Sequence, residues 1–465
     1  MRRSRERAQL GQLAIGLLAL PLSVAPFLAY GTFTPEGRLV RDRVRVALSP
    51  PHLPKLTESQ QRAAAQAAPR YADRVMVLAY HGIGSGADGD GGGDERFAIS
   101  PARFGEHLAT LRAAGMHTVT AADVARAFGA GKPLPDNAVM ITFDDGRADA
   151  MMWADPLLKE AGMKATMFVI SSAAADPGIY YAGWDRLRAA ARSERWDIQA
   201  HTHAAHREQD VPGREDLPVL TSLAPGESLE DYRRRVADDL EENSAAIFAH
   251  VGRRPVALAY PFGAYGADRT NDPGIRDVLR DEVARRFVLA FHQDDQATIP
   301  LVDTSQERVS LRRLEVENVS GLALLRLINR SAAPEPGQAP NGHPLAQSAP
   351  LVKSLPPIPF VKELRQDPVP IPPDRPAPAA PVLPGPSPAP GPAPVTESVP
   401  PVPAAPTTVT TTPAPVTPGP APSPTTTTRP SPTTSTTAKP TTTTTRPSTT
   451  TTTRPCTRPN GKPCT

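Results

Sequence analysis

Apolar positions along this chain fall into two rhythms between residues 75 and 328. Short apolar runs at 75–80, 138–143, 165–170, 256–260 and 287–291 read as strands buried on both faces, with residues 116–119, 196–200 and 312–316 as further short strands. Segments of helical period lie between them. Phe104, Leu108 and Leu111 repeat at i, i+4 and i+7, and Ser100 followed by Pro101 is a predicted helix start. Tyr232, Val236, Leu240 and Ile247 mark one side of a helix over 229–248. Other helices are predicted over 121–128, 148–160 (closed by Gly162), from Trp184 onward and over 322–328. Strands alternating with helices predict an α/β fold with a mostly parallel barrel.

Composition limits the folded part to roughly 260 of the 465 residues, a size usual for a single α/β barrel. Beyond residue 332 the chain is dominated by Pro, Thr, Ser and Ala. Such a segment buries too little apolar surface to offset the entropy of ordering it, so 333–465 is expected to be an extended, disordered tail. Its threonine runs, from about residue 407, suit O-linked sugars or a spacer through a cell wall; a plain solvated tail is the alternative. Cys456 and Cys464 are the only cysteines. An exported chain would close them into a small terminal loop; a free pair or an intermolecular link is the other reading. At the other end, Arg2, Arg3, Arg5 and Arg7 precede an uncharged apolar run at 10–30, long enough to span a bilayer. A signal anchor is expected over 1–32, with a cleaved signal peptide as the alternative; either exports the rest of the chain. Residues 33–73 read as a stalk with a helix over 58–68. The net charge of +3 is scattered, and nothing suggests a nucleic-acid face. Asp88, Asp90 and Asp94 lie in a Gly-rich loop without EF-hand spacing, so a solvated loop is expected there.

The chemistry concentrates at two strand ends. The strand at 138–143 runs into Asp144-Asp145-Gly146, where two carboxylates can share a cleft: one to hold a metal, the other to take a proton. The strand at 196–200 runs into His201, His203 and His206. One Asp and two His would fill a catalytic zinc site, which keeps three protein ligands and an open water position. An ordinary Asp-Gly turn and a polar loop are the bland readings of the same residues.

Thr142-Phe143-Asp144-Asp145-Gly146 resembles the first motif of the NodB-like polysaccharide deacetylases, carbohydrate esterase family four, and His201-Thr202 with His206 resembles the second. The histidine spacing of five is similar to the branch acting on poly-β-1,6-N-acetylglucosamine, as is Tyr260-Pro261-Phe262-Gly263-Ala264-Tyr265 for the third motif. The arginine usual in that motif is missing, with Ala259 in its place, which leaves open what holds Asp144. The resemblance covers residues 75–327. It implies a distorted (β/α)7 barrel, circularly permuted, acting at the cell surface on an N-acetylglucosamine polysaccharide. Peptidoglycan or chitin fragments are the alternative substrates, and a non-catalytic carbohydrate-binding protein the alternative class. It further implies zinc, or another divalent ion such as cobalt or nickel, on Asp145, His201 and His206. Asp144 would be the base and the Phe262 backbone N–H an oxyanion donor. His81, ending the strand that precedes the Asp-Asp motif, is the preferred general acid, and His292 the rival. Trp184, Tyr260 and Tyr265 are candidates to line a sugar groove, with a core role the alternative for Trp184.

Overall fold

A computed structural model describes residues 35–84, 98–293, 299–332, 354–366 and 370–371. The apolar run at 10–30, the loop with Asp88, Asp90 and Asp94, the threonine runs and both cysteines lie outside the described residues.

The strands are β1 (Val75–Tyr80), β2 (Gly82–Ile83), β3 (Ala98–Ile99), β4 (His117–Thr118), β5 (Ala138–Phe143), β6 (Ala165–Val169), β7 (Trp196–Ala200), β8 (Glu208–Val211), β9 (Arg214–Pro218), β10 (Ala257–Ala259), β11 (Leu289–His292), β12 (Leu311–Arg312) and β13 (Leu314–Glu315). The helices are α1 (Pro35–Leu48), α2 (Glu58–Gln66), α3 (Pro101–Ala113), α4 (Ala121–Ala130), α5 (Ala148–Ala161), α6 (Ser171–Ala175), α7 (Trp184–Arg192), α8 (Leu229–Val251), α9 (Ile275–Arg286), α10 (Gly321–Ala332) and α11 (Val361–Leu364).

The main sheet is parallel and ordered β12-β11-β10-β7-β6-β5-β1-β13, with β4 beside the start of β5. Arg313 alone separates β12 from β13. The first pairs with β11 and the second with β1, so one bent stretch joins the two ends of the sheet into a nearly closed barrel. This is the α/β architecture expected from the alternation of runs.

The continuous apolar runs are explained by burial on both faces. In β1 and β5, Met76, Leu78, Tyr80, Val139, Ile141 and Phe143 face the helical layer. Val75, Val77, Ala138 and Met140 join Phe168, Ala259, Phe291 and Leu311 in the barrel interior. The period of two is what aims the site: Thr142 and Asp144 share the inward parity of Ala138 and Met140.

Local signals explain most boundaries. Ser100 Oγ accepts the Arg103 N–H at 3.2 Å, capping α3, and Gly162 closes α5 in the left-handed region at φ +68°. The β8–β9 hairpin, α1 and α9 were not anticipated. The hairpin strands read Glu-Gln-Asp-Val and Arg-Glu-Asp-Leu-Pro, with no apolar alternation to announce them.

One part of the presumed tail departs from expectation. Residues 354–366 pack against the barrel: Leu364 is 6% exposed and joins the interior cluster beside α4, with Ile358 against it. Arg308 donates to the Pro356 carbonyl at 2.9 Å, and the Arg254 guanidinium lies 5.3 Å from the Phe360 ring. Four large apolar residues (Leu355, Ile358, Phe360 and Leu364) give this short stretch the apolar surface that the flanking Pro/Thr sequence lacks.

Candidate active site

The ladder between β1 and β5 continues into the site, since Asp144 N–H donates to the Tyr80 carbonyl at 3.1 Å. Asp144 is therefore the next inward-facing side chain after Thr142, at the carboxyl end of a central strand. The following two residues are both left-handed, Asp145 at φ +70° and Gly146 at φ +74°. That turn brings Asp145 round to the histidines instead of letting it continue the strand.

Asp145 Oδ1 lies 3.4 Å from His201 Nε2 and 3.4 Å from His206 Nε2. One ligand atom from each of the three residues lies within 4.8 Å of the others. His201 Nδ1 is 2.8 Å from the Ala259 carbonyl. A carbonyl only accepts, so Nδ1 carries a proton, and Nε2 presents a lone pair to the cluster when the ring is neutral or donates to Asp145 when it is protonated. The histidine loop is held from α8. Asp239 accepts the N–H groups of His203 and Ala204 at 2.9 and 2.8 Å, and Asn243 donates to the Val169 and Thr202 carbonyls. The donor set, one carboxylate and two imidazole nitrogens, suits a borderline divalent ion such as zinc.

Asp144 is 1% exposed, and its charge is matched by an unanticipated partner, Arg313. The guanidinium donates from Nη1 to Oδ1 at 2.7 Å and from Nη2 to Oδ2 at 2.6 Å, a bidentate pair between residues 169 apart. The remaining Nη protons reach Thr142 Oγ1 at 3.2 Å and Gln293 Oε1 at 2.8 Å. Asp144 is thus held by an arginine of the β12–β13 bend, while Ala259, in place of the arginine absent from the third motif, offers its carbonyl to His201.

The electrostatics follow. Burial works to raise the Asp144 pKa, but the Arg313 charge and hydrogen bonds outweigh it and hold the carboxyl below its ordinary value. Burial likewise opposes ionisation of Asp145, and the His201 hydrogen bond and both imidazoles overcome it. Burial would lower His201; Asp145 and Asp144 overcome this and raise it. His206 is brought down to about 4 by burial and by His201. Two carboxylates against one arginine leave a pocket that draws positive charge.

His81, just past β1, has its Nε2 3.9 Å from Asp144 Oδ2 and a side chain 18% exposed. His292, at the end of β11, is 3% exposed and stacks on Tyr265 with ring centroids 4.2 Å apart. Residues 131–273 match the family model described as polysaccharide deacetylase.

The chain carries a polysaccharide deacetylase domain.

The poly-beta-1,6-N-acetyl-D-glucosamine N-deacetylase of Escherichia coli (strain K12) is 28% identical over 195 residues, 37% of this chain and 29% of that protein. The putative polysaccharide deacetylase YxkH of Bacillus subtilis (strain 168) is 33% identical over 97 residues, 21% of this chain and 32% of that protein. The matched part spans less than a third of either relative. A solved de-N-acetylase from Aggregatibacter actinomycetemcomitans is 22% identical with a TM-score of 0.47, covering 56% of this chain and 100% of that one. IcaB from Ammonifex degensii is 23% identical with a TM-score of 0.43, covering 56% and 97%.

Three residues of the deacetylase domain were expected to line a sugar groove. Trp184 is half-buried, stacks face to face on the exposed His250 at 4.6 Å and packs on the edge of the helix-side apolar cluster. Tyr260 is 1% exposed and donates its hydroxyl to the Val309 carbonyl, which makes it scaffold and corrects the groove assignment. Tyr265 is half-buried against His292. The exposed aromatic at the site is instead Phe262, at φ +57°, with its ring 4.5 Å from that of His206.

Arg313 had one sequence signal, a pair of charges (Arg312 and Arg313) set between Leu311 and Leu314 in a short strand pattern. Nothing in the sequence linked it to Asp144.

Proposed function

We propose that this domain hydrolyses N-acetyl groups from a cell-surface N-acetylglucosamine polysaccharide, releasing acetate and leaving free glucosamine units. The observation that carries the reading is the pairing of two differently supported carboxylates. Asp144 is ionised and clamped by Arg313, while Asp145 joins His201 and His206 in a set fit for a divalent ion. When bound, such an ion supplies Lewis-acid activation of water and of the amide carbonyl. Asp144 accepts the proton of the attacking water, for which an ionised carboxylate is required. The Phe262 backbone N–H donates to the developing oxyanion. His81 gives a proton to the leaving nitrogen, an amine that departs poorly without one. No covalent enzyme intermediate is needed.

The E. coli relatives are named for a β-1,6-linked polymer, and the histidine spacing of five supports the same substrate class here. The test is acetate release from a β-1,6-linked N-acetylglucosamine oligomer, compared with chitin oligomers and peptidoglycan. Preference for either of the latter would move the substrate, and no release from any would return the domain to a binding role. Zinc is the expected ion, with cobalt or nickel able to replace it; the His201→Ala, His206→Ala double variant is expected to lose the metal. We further propose that the domain works outside the cytoplasm, tethered by the apolar run at 10–30. A reporter fused after Lys55 should lie beyond the membrane. No helix among the described residues is long and apolar enough to cross one.

A further inference from the structure

Arg147 follows the Asp-Asp-Gly turn directly, and its side chain is buried at 6% exposure. Its guanidinium is fixed from three sides. Asp149 accepts from Nε at 3.0 Å and from Nη2 at 2.6 Å, and Tyr180 Oη accepts from Nη1. The Tyr180 ring lies 4.6 Å beneath the same group. The backbone reinforces this hold, since Ala148 N–H donates to the Tyr180 carbonyl and Ala182 N–H to that of Gly146. A guanidinium with this many partners does not swing aside easily.

The fourth side of Arg147 is Gly82. A Cβ built there would lie 2.7 Å from Arg147 Nη2, 2.9 Å from Cζ and 3.1 Å from the Ala98 Cβ. The guanidinium therefore rests on the bare backbone of the residue next to His81. Gly82 itself is held in register with Ala98 in the β2–β3 pair. Between them, Arg147 and Ala98 leave the backbone at Gly82 no room to shift toward either.

We propose that Arg147, bearing on Gly82, is a positioning residue that fixes the backbone carrying His81, and so sets the reach of that imidazole toward the leaving nitrogen. The inference rests on the deacetylase reading above and adds to it a link between the loop holding Asp145 and the strand end holding the acid. Each partner has a distinct task. Asp149 and Tyr180 hold the guanidinium, the guanidinium and Ala98 bracket Gly82, and Gly82 admits a contact that any side chain would block.

The test compares the parent with Arg147→Met, Arg147→Lys and Gly82→Ala. For each, kcat and KM are measured for acetate release from the β-1,6-linked oligomer and for hydrolysis of 4-nitrophenyl acetate, together with metal content and thermal midpoint. A misplaced acid matters for an amine leaving group and little for a nitrophenolate. Displacement of a reacting group by about 1 Å costs on the order of 10²-fold. Arg147→Met and Gly82→Ala should therefore lose about tenfold to 10²-fold more on the oligomer than on the ester, in kcat, with metal retained. Arg147→Lys keeps the charge but not the fork, and should fall between them and the parent. Should Arg147→Met fold poorly, Gly82→Ala carries the test, because it removes none of the groups that bind the guanidinium. Equal losses on both substrates, parent-like kcat on the oligomer, or loss of metal in the variants would each overturn the inference alone. A parent that cleaves the ester but no N-acetylated polymer would instead overturn the deacetylase reading beneath it.

Discussion

Replacing Arg313 by Met tests the least expected feature of the site. The substitution keeps an unbranched, apolar, though shorter, side chain but removes the charge and every donor facing Asp144. Both partners are buried, with side chains 0% and 2% exposed, so water cannot take over the lost role without opening the barrel. Two unit charges about 4 Å apart at an effective dielectric of about 20 attract by roughly 4 kcal/mol. Removing one partner of a buried pair typically costs about 3–5 kcal/mol, because the other charge is left uncompensated. Urea unfolding of parent, Arg313→Met, Asp144→Asn and the double variant, followed by tryptophan fluorescence, gives the coupling energy. It is expected near 3 kcal/mol, with the double variant less damaged than the sum of the single ones. The pH dependence gives an independent sign. In the parent, the Asp144 pKa is held below its ordinary value of 3.8, so its stabilisation is present above that value and lost as pH falls through the folded one. In Arg313→Met the largest lowering influence is gone and only His201 and His81 work against burial, so the carboxyl rises and acidification relieves the buried charge. The deficit of the variant should be largest near neutrality and shrink toward acid. A coupling below about 0.5 kcal/mol, or a deficit that grows on acidification, would refute the clamp.

Asp144→Asn should retain the metal and lose about 10²–10⁴ in rate; parallel loss of metal, measured by elemental analysis, would make Asp144 a ligand. His107 sits between Tyr80 Oη at 3.1 Å and the Val319 carbonyl at 2.7 Å, and burial brings its pKa down to about 4. The unfolded chain takes this proton first as pH falls from about 6.5 to 4, so stability should drop by up to about 3 kcal/mol across that window, and His107→Gln should flatten the slope in urea titrations. A chain ending at residue 332 exposes the floor that Leu364 and Ile358 cover, and should melt about 4 °C or more below one ending at 371, following a net loss of roughly 2 kcal/mol.

The sequence by itself determined what depends on neighbours along the chain. Ser100 and Pro101 start α3, Gly162 ends α5, and the runs at 75–80 and 138–143 become β1 and β5 because caps and apolar continuity are local properties. The same locality exposed the Asp-Asp pair and the histidine cluster, since each group lies within six residues. Tertiary structure decided whatever joins distant segments. Arg313 reaches Asp144 only because the β12–β13 bend closes the sheet against β1. Tyr260 and Trp184, aromatic and well spaced in sequence, turn out to face Val309 and His250. Leu364 is recruited from a stretch flanked by Pro/Thr-rich sequence by an apolar floor that exists only once the barrel has formed. A charge, a ring or a leucine has no fixed role in a sequence; its role is set by the partner that packing brings to it across the fold.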